Sequence, residues 1–200
     1  MSYNCQVFMW YFDSSGNWTI NVSARDTSGA YGQNLSVSFE VLSTTAIQFG
    51  PANLTWAAIE LSSQNRTSNN DPIVINNTGN KDIGVGGVTV RGHNLQGITT
   101  TTEFIDVQNF TVSPINSSSE CSGTACTECN GTTMLNQSSR PIIYANITAG
   151  NRTLNDIYNY TGPAETLFFC IRTAPETGTI TRQTYATNGT HTAPWIISVS

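Results

Sequence analysis

The stretch Asn17-Trp-Thr-Ile-Asn-Val-Ser-Ala24 decides the fold. Its apolar residues Trp18, Ile20, Val22 and Ala24 fall at every second position, and Asn17, Thr19, Asn21 and Ser23 fill the places between. A repeat of two is the repeat of a β-strand, whose successive side chains point to opposite faces. Such a strand packs one face and turns the other to water. The polar face has a second property. Asn17-Trp-Thr and Asn21-Val-Ser both have the Asn-x-Ser/Thr form of an N-glycosylation acceptor.

Further along the chain the same pattern returns. From Asn34 to Val41, Leu35, Val37, Phe39 and Val41 oppose Asn34, Ser36 and Ser38. Asn53 and Thr55 oppose Leu54 and Trp56, Asn109 and Thr111 oppose Phe110 and Val112, and Asn146 and Thr148 oppose Ile147. Turn signals separate these runs: Ser14-Ser-Gly16, Asp26-Thr-Ser-Gly29, Asn69-Asn-Asp-Pro72, Asn77-Thr-Gly-Asn80 and Gly84-Val-Gly-Gly87. Helical periodicity is nearly absent, with one short turn expected at 153–159. Short strands at this spacing predict an all-β protein of β-sandwich architecture.

A boundary is expected near Ser43 to Ala46, giving units 1–43 and 44–200. Three strands are expected before it, at 3–12, 16–26 and 33–42. After it they are expected near 46–58, 72–77, 85–92, 103–113, 141–148, 165–173, 179–186 and 194–199. The later set completes a sandwich; the first three strands make one sheet without an opposing one. Residues 113–140 are polar, Ser/Thr-rich and carry three cysteines, and read as a long loop.

Composition narrows the class. Only 10% of the 200 residues are charged, against roughly 25% in ordinary soluble domains. With net charge -5, seven arginines, one lysine and no basic run, the chain lacks the cationic patch that nucleic acid requires. Asn, Ser and Thr take the place of charge, at 21 Asn and 49 Ser plus Thr. Random mixing of those numbers would give about five acceptor triplets, and the chain has fourteen. Their asparagines are Asn17, Asn21, Asn34, Asn53, Asn65, Asn76, Asn109, Asn116, Asn130, Asn136, Asn146, Asn151, Asn159 and Asn188. Covalent N-linked glycans would supply the solubility that charge supplies elsewhere.

Glycosylation implies export, and so an extracellular or cell-surface location. No segment approaches the roughly 18 apolar residues of a membrane span. Met1 to Phe12 lacks the basic start and small-residue cleavage site of a signal peptide, so export implies a leader upstream.

Five cysteines follow: Cys5, Cys121, Cys126, Cys129 and Cys170. In an exported chain disulfides are the default. The favoured pairing is Cys121 with Cys170 and Cys126 with Cys129, leaving Cys5 for a partner elsewhere. The spacing of Cys121, Cys126 and Cys129 also matches an iron–sulfur ligand run, and zinc is a further option. Against both stand the acceptor at Asn130, the distance to Cys170 and export; neither metal nor cofactor is expected.

No catalytic pattern appears. His-Glu-x-x-His, Gly-x-Ser-x-Gly and a phosphate loop are all missing. His93 and His191 sit among polar neighbours, and Glu60, Glu103, Asp106 and Glu165 form no local signature. Of four tryptophans, Trp18 and Trp56 alternate onto apolar faces and read as core. Val7-Phe-Met-Trp-Tyr-Phe12 is apolar on both faces and needs cover on each side. Phe8, Trp10 and Phe12, with 33–42, are expected to make the main contact between subunits.

Ser68-Asn-Asn-Asp-Pro-Ile-Val-Ile-Asn-Asn-Thr-Gly-Asn80 resembles a segment of large predicted surface proteins of nano-sized, DPANN-type archaea, of the Woesearchaeota and Pacearchaeota kind. Tyr3-Asn-Cys, Met9-Trp-Tyr11, Gly16-Asn-Trp-Thr-Ile-Asn-Val22, Leu54-Thr-Trp56 and Leu167-Phe-Phe-Cys170 fit the same scheme, which spans most of the chain. The resemblance implies exported tandem immunoglobulin-like modules and carries no catalytic residues. In that family further strands and another cysteine precede the Tyr-Asn-Cys segment, so the first module here would be incomplete and Cys5 without its partner. The expected function is structural: a subunit polymerising with copies of itself into a glycosylated filament, pilus-like fibre or surface layer. The alternatives are an adhesin or carbohydrate-binding module, and more remotely an iron–sulfur electron carrier.

Overall fold

A computed structural model describes residues 4–114, 128–149, 164–187 and 193–200. The helical turn expected at 153–159, Asn116, Asn151, Asn159, Asn188, His191, Cys121 and Cys126 lie outside the described residues.

The chain is all-β. Its strands are β1 (Gly16–Arg25), β2 (Tyr31–Val41), β3 (Ile47–Gly50), β4 (Gln64–Thr67), β5 (Ile73–Asn77), β6 (Val88–Arg91) and β7 (Leu95–Gly97). There follow β8 (Phe104–Ile105), β9 (Phe110–Pro114), β10 (Thr132–Thr133), β11 (Ser139–Pro141), β12 (Ala164–Thr173), β13 (Tyr185–Ala186) and β14 (Ile196–Val199). All strand-to-strand ladders run antiparallel.

The larger sheet has six strands in the order β10-β9-β12-β5-β3, with β4 also on β12. A three-stranded sheet, β11-β6-β14, shares the core with it, and a second three-stranded sheet has the order β13-β7-β8. β12 organises the large sheet. One of its edges pairs with β9, from Leu167↔Pro114 to Ile171↔Phe110. The other is shared: β5 takes its first half and β4 its second.

The core lies between the sheets and follows the period-two pattern. Ile73 and Ile75 of β5, Val88 and Val90 of β6, and Leu167, Phe169 and Ile171 of β12 are all buried. Val74, Thr89 and Phe168, between them, are half-buried. Phe110, Val112, Met134, Ile142 and Ile147 complete the cluster. Each full burial of such a side chain contributes roughly 1.5–3 kcal/mol. Trp56 and Trp195 close one side, their rings meeting Phe110 edge-on at 5.2 and 5.0 Å. Their indole N–H groups donate to the carbonyls of Arg66 and His93, so both polar atoms are satisfied where the rings pack.

Several expected strands take another form: 46–58 keeps only Ile47–Gly50, 103–113 is broken by the helical turn Val107–Asn109, and 179–186 keeps only Tyr185–Ala186. Residues 4–10 have no regular structure, and the chain turns at Trp10–Asp13 instead. There the Asp13 N–H donates to the Trp10 carbonyl at 3.0 Å and its carboxylate accepts the Trp10 N–H at 2.8 Å. The expected strand 141–148 survives only as the end of β11 and a bridge between Ile83 and Ile147. Conversely, β4, β7 and β10 lie outside the expected strands, and β11 begins before one. Runs of two to four residues are too short to show alternation.

Residues 16–41 form a hairpin whose two strands pair with each other and, among the described residues, with no third. Asp26 closes it, its carboxylate accepting the Ser28 hydroxyl and the N–H groups of Ser28 and Ala30. The register runs through Trp18↔Phe39 and Ile20↔Val37, then slips to Val22↔Asn34. A bulge on β2 absorbs the extra residue.

The hairpin is held to the sandwich by Asn80. Its amide donates to the carbonyls of Asp13 and Leu42, both at 3.0 Å, and its carbonyl accepts the Thr44 N–H at 2.6 Å. The Asn80 N–H donates to the Thr44 carbonyl and that of Thr78 to Ala46. Gly79 allows this approach, since a Cβ there would run into the Thr44 carbonyl.

Candidate assembly surface and glycan acceptors

Among the described acceptors Asn17, Asn21, Asn34, Asn65 and Asn76 stand in strands. Asn53 and Asn146 lie in irregular chain, Asn109 and Asn130 end short helical turns and Asn136 makes an isolated bridge, so the strand face expected at Asn53, Asn109 and Asn146 is not formed. In the first half of the hairpin, Asn17 pairs with Glu40 and Thr19 with Ser38, on the face opposite Trp18, Ile20, Val37 and Phe39. Asn21 keeps to that polar face, accepting a hydrogen bond from the Gln33 amide at 2.9 Å. Asn34 departs from the expected alternation: the bulge carries it opposite Val22. Its side-chain oxygen accepts the N–H and hydroxyl of Ser36, at 2.8 and 2.6 Å. Asn53, Asn65, Asn130, Asn136 and Asn146 are exposed as well, while Asn76 and Asn109 are half-buried. Neighbouring asparagines show how far the fold discriminates. Asn77 follows Asn76 but is wholly buried, its amide donating to the carbonyls of Lys81 and Thr148.

The second feature is apolar. Val7, Phe8, Tyr31, Leu35, Val37 and Leu42 are each more than half exposed, and Met9, Trp10, Ile20 and Phe39 keep lesser areas in water. Among the described residues none before Ile47 belongs to the core cluster. Of the three expected contact residues, Phe8 is 76% exposed and Trp10 39%, but Phe12 is 6% exposed and stacks on Trp10 at 5.9 Å. The turn at Trp10–Asp13 directs Phe12 inward, so it is removed from the contact set. Trp18 packs against Phe39, ring centroids 6.2 Å apart, on the hairpin and not in the core.

The disulfide expectation is corrected. Cys170 bonds Cys129, with Cα atoms 5.0 Å apart, which displaces both Cys121–Cys170 and Cys126–Cys129. The short helical turn Glu128–Asn130 precedes β10, which pairs with β9 beside β12. That places Cys129 over the outer face of β12, where Cys170 points. Cys5 is exposed and has a free thiol.

Charged groups serve structure. One carboxylate oxygen of Glu103 accepts the Tyr185 hydroxyl at 2.6 Å and, each at 2.8 Å, the Thr181 N–H, the Thr181 hydroxyl and the Gln183 amide. These bonds, Tyr185 first, hold its pKa down at about 2. Burial, then the bond to Glu103, raises that of Tyr185. The Gln183 carbonyl accepts the N–H groups of Thr99 and Thr100, so the network ties 99–103 to 181–185. Burial raises the pKa of Glu165, which accepts the Asn146 N–H. Asp106 caps the turn Val107–Asn109. Among the described residues no group of His, Cys, Asp and Glu is placed to hold a metal ion, and no helix is long and apolar enough to cross a membrane.

Sequence reading missed the Asn80 clamp and the Glu103 network. A polar turn at 77–80 was visible, but nothing local marks its partners at Asp13, Leu42 and Thr44. Glu103 lies about 80 positions from its donors. Compared with protein-family models, with curated proteins and with solved structures, the chain matches none.

Proposed function

We propose that this chain is a structural subunit of an extracellular, glycosylated assembly, a filament or surface layer, built by contacts between copies of itself. The carrying observation is the first 42 residues. They hold a two-stranded sheet and an apolar run, keep most of their large apolar side chains in water, and give nothing to the core cluster. Exposed apolar area of several hundred Å² marks an interaction surface, and unpaired sheet edges are templates for a further strand. The single disulfide among the described residues is compatible with an oxidising location. The acceptors that stand on the surface support a sugar coat over the parts not in contact.

Negative-stain imaging of native material, with its intact mass, tests this reading. Fibres or sheets are expected, with a mass well above the 21.6 kDa of the bare chain. Dispersed particles would overturn the assembly, and a bare mass would overturn the glycoprotein.

A further inference from the structure

Following the third residue of each acceptor triplet, in place of the asparagine, divides the triplets. The Ser or Thr hydroxyl is part of what the transferring enzyme recognises, since Asn-x-x without it is no acceptor. In seven described triplets that residue is exposed, as at Thr19, Ser36, Ser138 and Thr148. In two it is sealed. Thr111, two after Asn109, is 0% exposed, and Thr132, two after Asn130, is 2% exposed. The Thr132 hydroxyl donates to the Pro141 carbonyl at 3.1 Å and accepts the Ile143 N–H at 2.8 Å. Thr111 stands in β9 with β10 on one side and β12 on the other, at Thr133↔Thr111 and Cys170↔Thr111. Phe110, the middle residue of that triplet, is in the core, and Asn130 directly follows the disulfide-bonded Cys129. Asn76 is a third case. Its Thr78 is only half-buried, but its middle residue, Asn77, is buried and the main chain of Asn76 is paired on both edges, at Gln48 and Ala164, which seals the triplet another way.

We propose that Asn76, Asn109 and Asn130 accept a glycan only while the chain is unfolded, whereas the seven open triplets remain acceptors in the folded protein. This rests on the glycoprotein reading above. In the transfer, the asparagine amide nitrogen attacks C1 of a sugar held on a lipid-linked phosphate. The C1–N bond forms, the C1–O bond to phosphate breaks, the lipid phosphate leaves, and the amide gives one proton to a base of the enzyme. The three sealed asparagines are themselves exposed or half-buried, so a sugar already in place fits the fold. Only its recognition does not. Reaching Thr111 requires β9 to part from β10 and β12, an opening on the scale of global unfolding. Occupancy at Asn109 and Asn130 in native material thus records transfer that preceded folding.

The test starts from full-length chain made without glycosylation, folded with its disulfide formed. It is offered a purified oligosaccharide-transferring enzyme and a lipid-linked sugar donor, in parallel with synthetic peptides spanning each triplet. The readout, by peptide mass mapping, is the ratio of folded-chain to peptide modification at each triplet. Open triplets are expected within about tenfold of their peptides, and Asn76, Asn109 and Asn130 at least about 100-fold below theirs, following the small population of the unfolded state. Comparable modification of Asn109 or Asn130 in folded chain, or refusal at open triplets such as Asn17 and Asn146, overturns the proposal. A bare mass for native material would sink the glycoprotein reading while leaving this contrast as it is.

Discussion

At the residue scale, two carboxylates act as knots. Asp26 closes the hairpin turn and Glu103 gathers four donors from 181–185. Hydrogen bonds hold both pKa values low, that of Glu103 at about 2 against an ordinary 4.5. A depressed carboxylate contributes stability that is present above its unfolded pKa and is lost as pH falls through the folded one. Melting temperature should therefore fall between about pH 4.5 and 2, and Glu103→Gln should flatten that fall while lowering the plateau at pH 7. An unchanged acid slope in the variant would show that the knot is not formed. Tyr185→Phe removes the shortest of the four bonds and should lower stability near neutral pH. Thermal or urea unfolding measures it. Asn17 and Asn21 on the polar face of β1 were legible because one strand's alternation places them. Glu103 was not, because its meaning lies in a segment about 80 positions away.

At the element scale, β12 is the strand on which the sandwich depends. It pairs with three others, buries Leu167, Phe169 and Ile171 inward, and holds Cys170 on its outer face. Phe169→Ala should cost about 3–5 kcal/mol, the range for a buried phenylalanine whose cavity cannot collapse; urea denaturation checks it. The disulfide closes a loop with a sequence separation of 41. In the chain-entropy account that is worth roughly 4 kcal/mol. Non-reducing peptide mapping should recover Cys129 joined to Cys170, and Cys129→Ser with Cys170→Ser should lower the urea midpoint accordingly. Recovery of Cys121 on Cys170 would refute the pairing. The long strands were readable because ten or so residues show alternation plainly. The pairing was not: three cysteines within nine positions are equivalent by spacing, and only the approach of Glu128–Asn130 to β12 selects Cys129. The bulge at Val22↔Asn34 was hidden for the same reason, since register belongs to two strands at once.

At the scale of the molecule, a closed sandwich carries an open hairpin, and Asn80 decides how rigidly. Its side chain bonds both the turn before the hairpin and the segment after it. Asn80→Ala strands those groups at a cost of roughly 1–3 kcal/mol. Limited proteolysis should then cut near Ser14 or Ser43 sooner than in the parent, while the sandwich stays resistant. For the proposed assembly the rigidity matters, because a contact surface on a fixed arm loses less freedom on docking than one on a loose tether.

The proposed assembly rests on the apolar run before that arm. Phe8 and Trp10 stand in water although Phe12, two residues on, does not. Single exposed apolar residues are ordinary, but a run beside a sheet with apolar side chains left uncovered is not. Phe8→Ser with Trp10→Ser removes part of this patch without touching the core cluster, since neither residue belongs to it. The double variant should keep the melting transition of the sandwich and its Cys129–Cys170 bond, yet fail to form the fibres or sheets of the parent at equal concentration. Size-exclusion chromatography with light scattering, followed by imaging, reads both halves of that expectation. A parent chain that stays monomeric and folded at high concentration defeats the contact. A variant that assembles as the parent does would move the contact to the hairpin face, where Ile20, Val37 and Phe39 are the next residues to change.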